Sequence, residues 1–182
     1  MTENIPAGRF VVDPTHSEVG FSVKHLMISK VKGKFNSFGG TIVVGKEGEL
    51  DSIVVNGLID VVSVDTNQAD RDGHLKTGDF FDAENFPTIS FISNGVKHIR
   101  GDKYEIYGDI KIKNVTKPLT LDIEFGGVAV DGYGQTKIAA EAHAVIKRED
   151  FGLTWNSPLE SGGVLLGSNV NLDLDIQATL TA

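Results

Sequence analysis

The stretch HSEVGFSVKH, residues 16–25, decides the fold of this chain. Val19, Phe21 and Val23 fall on one side of an extended backbone, and polar side chains occupy the other side. A period of two is typical of a β-strand with one buried face and one wet face. Because the same alternation recurs along most of the chain, the sequence predicts an all-β protein.

Further runs alternate in the same way within residues 53–61, 104–112, 119–125 and 170–180. Glycine-bearing turns such as residues 131–134 separate them, as hairpin connections do. Together the runs predict about eight strands, the number at which a barrel closes around side chains or one small ligand. No shift in composition marks a linker, so we expect residues 1–182 to form a single antiparallel up-and-down barrel domain.

Two segments depart from the strand pattern. Residues 67–76 carry acidic side chains early and basic ones late, with Asp65 or Thr66 available as an N-cap, which predicts a short helix. Residues 26–29 are a second candidate for a turn of helix. Helices this short do not form a second layer, so we expect one or two of them to rim or plug one end of the barrel.

The charge balance excludes some classes of partner. The net charge of −8 repels phosphate backbones and anionic membrane surfaces overall, so nucleic-acid binding is not expected. A local basic patch is present at Lys30, Lys32 and Lys34, which alternate on one face of a strand. We interpret that patch as a solvated outer face.

Cysteine usage and hydropathy bear on the compartment. The chain has no cysteine and therefore no disulfide, which fits a reducing compartment. The residues at the start lack a basic stretch followed by an apolar one, and no window has the roughly 18 apolar residues of a membrane helix. We expect a soluble cytoplasmic protein without an integral membrane segment, or a periplasmic or secreted one if a signal has been removed.

Small residues occupy apolar strand positions where a solid core needs bulk. They are Gly40, Gly57, Gly108, Ala140, Ala142 and Ala144. Unfilled volume between apolar strands forms a cavity that accepts an apolar ligand. The alternative interpretation is that the glycines mark bulges and sharp bends where the sheet curls.

A set of motifs in fixed order spans essentially the whole chain. It comprises His16-Ser17 with Val19, Phe21, Val23 and His25; Val31, Gly33 and Phe35; Asp65-Thr66, Arg71-Asp72, His74-Leu75 and Asp79-Phe80; residues 86–91; Gly108, Ile110 and Ile112; residues 116–119; residues 148–152; and Gly167 with Val170. This ordered set resembles the YceI-like family of lipocalin-like barrels, which is associated with polyisoprenoid and other long-chain lipids. The resemblance implies a non-catalytic protein that needs no cofactor and binds, stores or transports a long-chain isoprenoid-type lipid, which is a polyprenyl, quinone or fatty-acid-like compound.

A carrier of such lipids needs an apolar tube for the tail and a polar end for the head. We predict that the tail contacts Phe21, Val23, Phe38, Ile42, Ile89, Phe91, Ile106, Ile110, Leu121, Leu172 and Leu174. We predict that the head contacts His25, Arg71, His74, Arg148 and Trp155, because a guanidinium suits a phosphate or carboxylate. The alternatives are that Arg71 and Arg148 pin loops by ion pairs, and that His25 is a core histidine bonded to a carbonyl.

Two other function classes compete with a lipid carrier. One is a metal-dependent or acid–base enzyme that uses the face bearing Asp70, Arg71 and His74, together with His16. The sequence offers it little support, since it contains no H-E-x-x-H pair, no cysteine and no G-x-S-x-G elbow, and we predict neither a metal site nor a catalytic residue. The other is a stress-response interaction module with a solid barrel. Long strands with an unpaired edge are compatible with a homodimer, whichever of these functions the protein has.

Overall fold

A computed structural model describes residues 5–159 and 163–181. Its strands are β1 (Gly8–Val12), β2 (Glu18–His25), β3 (Ser29–Phe35), β4 (Phe38–Val44), β5 (Ile53–Asp60), β6 (Val64–Asp65), β7 (Thr88–Arg100), β8 (Lys103–Ile112), β9 (Val115–Val130), β10 (Thr136–Lys147) and β11 (Leu166–Leu180). The helix α1 covers Ala69–Leu75, and short 3₁₀ turns cover Pro14–His16, Leu50–Ser52, Val61–Ser63 and Arg148–Phe151.

The strands form a closed antiparallel meander. Eight of them make the ring, in the order β1, β4, β5, β7, β8, β9, β10, β11, and β11 pairs back onto β1 with Phe10 opposite Leu180. β2, β3 and β6 continue past bends in the chain and extend one side of the barrel towards the end that carries α1. The predicted all-β up-and-down barrel of about eight strands is confirmed.

The bend between β1 and β2 is built around Asp13. Its carboxylate accepts hydrogen bonds from the Thr15 amide (3.0 Å), the Thr15 hydroxyl (2.7 Å) and Nδ1 of His16 (2.8 Å). The Thr15 and His16 hydrogen bonds hold the pKa of Asp13 well below its usual range. Beyond the bend, the Ser17 hydroxyl accepts a hydrogen bond from the amide of Gln177, so the turned chain is fixed to β11.

The helix prediction is right for one segment and wrong for the other. α1 forms within residues 67–76, but its N-cap is Gln68, whose Oε1 accepts the Arg71 amide at 2.7 Å. Residues 26–28 instead form the turn of the β2–β3 hairpin, with Ser29 already in β3, and the Ile28 amide donates to the His25 carbonyl at 3.2 Å. The reason is the register: β2 and β3 stay paired up to His25 and Ser29, which leaves no room for a helical turn.

Two apolar clusters occupy the two ends of the barrel. Phe10, Ile5 and Val44 are almost fully buried and close the end near the chain termini. The second cluster contains Phe35 and Phe80 and lies under α1 at the other end. Between the two clusters, the side chains that line the barrel do not fill it, and they are partly exposed to its interior.

Candidate functional site

A cavity of about 690 Å³ runs through the interior of the barrel. All eleven residues predicted to contact a lipid tail lie in its wall, and so do all five predicted to contact a head group. Its wall is apolar along the strands, and its charged side chains, such as Arg71 and Asp70, come from the α1 end. The interaction-module hypothesis requires a barrel that is filled by its own side chains. The interior of this barrel is hollow, so the structure does not support that hypothesis.

The cavity depends on fewer small residues than the sequence analysis expected. A Cβ added to Gly57 meets no atom within 4 Å, and Ala140 and Ala142 also lie in the wall. Gly108, in contrast, leaves no void, because a Cβ there would collide with the Phe91 ring and the Ile92 carbonyl. The Asn56 carbonyl similarly lies against Gly40, and Ala144 is buried in the core.

One further glycine shapes the wall and was missed by the sequence analysis. Gly33 lies opposite Phe21 in the β2–β3 register, and the Phe21 ring lies across it where a Cβ would stand. The ring is thereby laid against the wall and away from the centre of the cavity. A glycine that faces an aromatic residue across a hairpin indicates such a contact. The sequence reveals this pair only when the register of the hairpin is known.

Arg71 extends from α1 to the rim of the cavity and is positioned by Thr66. Its Nε donates to the Thr66 hydroxyl (2.7 Å) and its Nη2 to the Thr66 carbonyl (2.6 Å). Thr66 is in turn fixed by Asp72, whose Oδ1 accepts both its amide and its hydroxyl. Arg71, which lies in the cavity wall, forms no carboxylate ion pair within the described residues, and its Nη1 has no hydrogen bond there. The sequence predicted a role for Thr66 as a helix cap and gave no indication that it positions Arg71.

His74 and Trp155 form an aromatic group at the same end. The His74 ring packs edge-on against Trp155 (4.8 Å between centroids) and against Phe80 (5.1 Å). Nε2 of His74 lies 2.8 Å from Oδ2 of Asp79, and the two form an ion pair when the histidine is protonated. His74 is thus oriented by Asp79 and not by Asp70, the residue at helical spacing that the metal hypothesis considered.

His25 differs from the other histidines. Four of the five, at positions 16, 74, 98 and 143, have a ring hydrogen bond, whereas the described residues give the ring of His25 none. His25 ends β2 and lies in the cavity wall. The arrangement is not that of a core histidine satisfied by a carbonyl.

The Arg148 side chain is hydrogen-bonded to the loop that precedes β11 and to the start of β11. It is only 4 % exposed, and it donates to the carbonyls of Gly167 (2.8 Å), Leu153 (2.7 Å) and Trp155 (2.9 Å). Burial lowers the pKa of Arg148, and the neighbouring Glu149 charge opposes that shift. These donors are occupied by protein carbonyls, so Arg148 positions Trp155 and is not available to a head group. The loop-pinning alternative is therefore correct for Arg148, with the carbonyl hydrogen bonds as the main contacts and Nη2 also 3.9 Å from the Glu149 carboxylate.

The geometry gives an acid–base or metal site no further support. In residues 5–159 and 163–181, no three His, Asp or Glu side chains converge as metal ligands. His16 is not part of the cavity wall, which contains Asp70, Arg71 and His74. No helix of the described chain is long and apolar enough to cross a bilayer.

Comparison with known proteins identifies relatives along the whole barrel. The profile of the YceI-like domain matches residues 10–178. A UPF0312 protein of Staphylococcus aureus (strain MSSA476) is 35% identical over 175 residues, which cover 94% of this chain and 98% of that protein. The crystal structure of the Campylobacter jejuni YceI protein is 30% identical with a TM-score of 0.73, covering 87% of this chain and 90% of that one. A polyisoprenoid binding domain from Saccharophagus degradans, at 13% identity and a TM-score of 0.70, shares the fold over 97% of this chain and 100% of its own.

Proposed function

We propose that this chain, which belongs to the YceI-like domain family, binds a long-chain isoprenoid-type lipid with its tail inside the barrel and its polar head at the α1 end. It would store or transport the lipid without making or breaking a bond. The observation that carries the proposal is the apolar cavity of about 690 Å³. The description of the Saccharophagus degradans domain as polyisoprenoid-binding is consistent with it.

The size of the cavity sets the size of the ligand. Taking the ~30 Å³ share of a water molecule as the volume of a methylene, the cavity holds about 20 such groups. Burying them at about 0.8 kcal/mol each gives a gross gain of about 16 kcal/mol, part of which is offset by the cost of ordering the chain. A ligand with about four isoprene units or an equally long alkyl chain fills this space.

The polar atoms at the α1 end suit an anionic or hydroxylated head. Arg71 supplies a guanidinium held in place by Thr66, and the His25 ring supplies a donor or acceptor that the described residues leave free. We assign the head group to Arg71, His25 and the edge formed by His74 and Trp155. Arg148 is left out of this set, because its donors are occupied by carbonyls.

Native mass spectrometry tests the proposal directly. Protein purified without extraction should carry a bound mass that organic solvent removes, and delipidated protein should regain a mass when prenyl alcohol or prenyl phosphate is added. A homogeneous ligand-free mass that takes up neither compound would refute it. For the enzyme hypothesis, metal analysis and a His74→Ala variant serve as controls, since a carrier binds no stoichiometric metal and that variant changes lipid retention and not turnover.

A further inference from the structure

The tip of the β2–β3 hairpin exposes three consecutive apolar side chains. Leu26 is 41 % exposed, Met27 52 % and Ile28 85 %. Val164, 39 % exposed, lies in the neighbouring loop, where the Leu26 amide donates to the Leu165 carbonyl. A cluster of large apolar residues at a protruding turn indicates a surface that is covered by something apolar.

The backbone of this turn is unfavourable for the residues that occupy it. Leu26 and Met27 have φ values of 55° and 64°, in the left-handed region that Asn and Gly adopt readily and branched or bulky residues rarely do. A turn with two such positions normally carries Asn-Gly. The chain therefore places bulky apolar side chains where neither solvation nor backbone geometry favours them, and strain of this kind concentrates at functional positions.

The flanks of the same hairpin are basic. Lys24 and Lys30 face each other across the two strands, and Lys32 follows on the same outer face. None of the three forms an ion pair within the described part of the chain, and paired like charges destabilise a hairpin. The acids of β11 lie at the base of the hairpin, where Asp173 pairs with Gly20, about 17 Å from His25 at ~3.3 Å per residue.

From these observations we propose that the β2–β3 hairpin docks the protein on anionic lipid bilayers. The apolar tip inserts between head groups, and the lysines of the flanks contact lipid phosphates. His25, at the base of the tip, lies in the cavity wall, so docking brings this part of the wall close to the bilayer. The purpose of docking, exchange of a lipid between bilayer and barrel, rests on the proposed function, whereas docking itself does not.

Vesicle flotation tests docking in the full chain. Protein is mixed with vesicles of phosphatidylcholine alone or of phosphatidylcholine and phosphatidylglycerol in equal amounts. We expect binding to the anionic vesicles that weakens with added salt, because the attraction to lysine is screened. Absence of binding to anionic vesicles at low salt would overturn the proposal.

Variants at the tip separate docking from a structural role. Leu26→Asn with Met27→Gly relieves the left-handed strain, so we expect an equal or higher melting temperature together with a loss of vesicle affinity of about tenfold or more. Tyr133→Ser is the matched control, since Tyr133 is 93 % exposed on a turn at the other end of the barrel. Equal vesicle affinity of the tip variant and the wild type would contradict the proposal.

A charge-matched pair tests the lysines. The triple variant Lys24→Gln, Lys30→Gln and Lys32→Gln should lose most anionic-vesicle binding and its salt dependence. A control that removes three positive charges near the opposite end, at residues 97, 100 and 103, should bind like the wild type. If both triple variants lose affinity equally, net charge and not the hairpin governs binding.

Uptake of a prenyl alcohol from a cyclodextrin complex, without a bilayer, keeps the two proposals apart. We expect the tip variant to retain this uptake while it loses vesicle binding. A wild-type protein that docks but takes up no lipid would refute the proposed function and leave docking standing. A protein that takes up lipid but does not bind vesicles would refute docking and leave the proposed function standing.

Discussion

Replacing Gly57 by phenylalanine should shorten the ligand that the barrel accepts. Gly57 lies in the middle of β5 on the lumen side, and a Cβ there meets no atom within 4 Å. The Cβ of the substituted residue therefore meets no neighbour and the ring adds bulk on the lumen side, so we expect the fold to tolerate it. Val54→Phe adds similar bulk to the same strand at a position that is 45 % exposed and absent from the cavity wall, and it is the matched control.

The expected effect follows from the cavity volume. With room for about 20 methylene groups, each additional methylene should tighten binding about fourfold until the cavity is full, since ~0.8 kcal/mol corresponds to that factor. The seven carbons of the benzyl group should make affinity level off at about 13 chain carbons. A ligand that fills the wild-type cavity should lose up to about 6 kcal/mol in the variant, while short ligands are little affected.

Displacement of a fluorescent fatty alcohol by a series of unlabelled alcohols of increasing length measures the effect. The wild type and Val54→Phe should give the same plateau, and Gly57→Phe a plateau at shorter chains. Melting temperatures of all three proteins check that each is folded. Identical length dependence in Gly57→Phe and the wild type would show that the tail does not lie in the middle of the barrel, and an affinity independent of length would refute the cavity as the site.

Three further predictions concern stability, each measured as a free energy of unfolding in urea. Gly108→Ala should cost about 1–3 kcal/mol, because its Cβ displaces the Phe91 ring and meets backbone, whereas Gly57→Ala should be neutral or slightly stabilising. Asp13→Ala should cost about 1 kcal/mol at neutral pH. Since the folded-state pKa of Asp13 is lowered, its contribution is present above about pH 4 and is lost as the pH falls further, so the gap to wild type should narrow in acid. Arg148→Met should cost about 3 kcal/mol or more, because the carbonyls of Leu153, Trp155 and Gly167 lose a buried donor; a near-neutral result would contradict its assignment as the group that holds the loop.

Alternation along the strands was sufficient to predict the barrel and the composition of its wall. In β5 and β11, residues at every second position face the lumen, so listing inward apolar residues amounts to listing the wall. Whether each small residue leaves a void in the cavity could not be predicted from the alternation. Gly57 and Gly108 occupy equivalent positions in the pattern, and only the placement of the Ile92 carbonyl and the Phe91 ring decides that one leaves a void and the other does not.

Local propensity misled where tertiary pairing decides the conformation. Leu26 and Met27 are good helix formers, but the β2–β3 register forces both into a left-handed turn. Arg148 looked like a cation for a ligand because the sequence does not reveal that its side chain is buried among carbonyls. The pairing of Thr66 with Arg71 was equally invisible, since it depends on the path of the chain between β6 and α1.

The pairing of the first strand with the last has a consequence for biosynthesis. β11 contacts β10 on one side and both β1 and β2 on the other, so the sheet cannot become a ring before residues 166–180 have left the ribosome. Until then the nascent polypeptide presents unsatisfied amides and carbonyls along two open borders, and these are sites for chaperones or for self-association. A stop codon that removes only the final strand should therefore yield an aggregating product, and not a slightly shortened barrel.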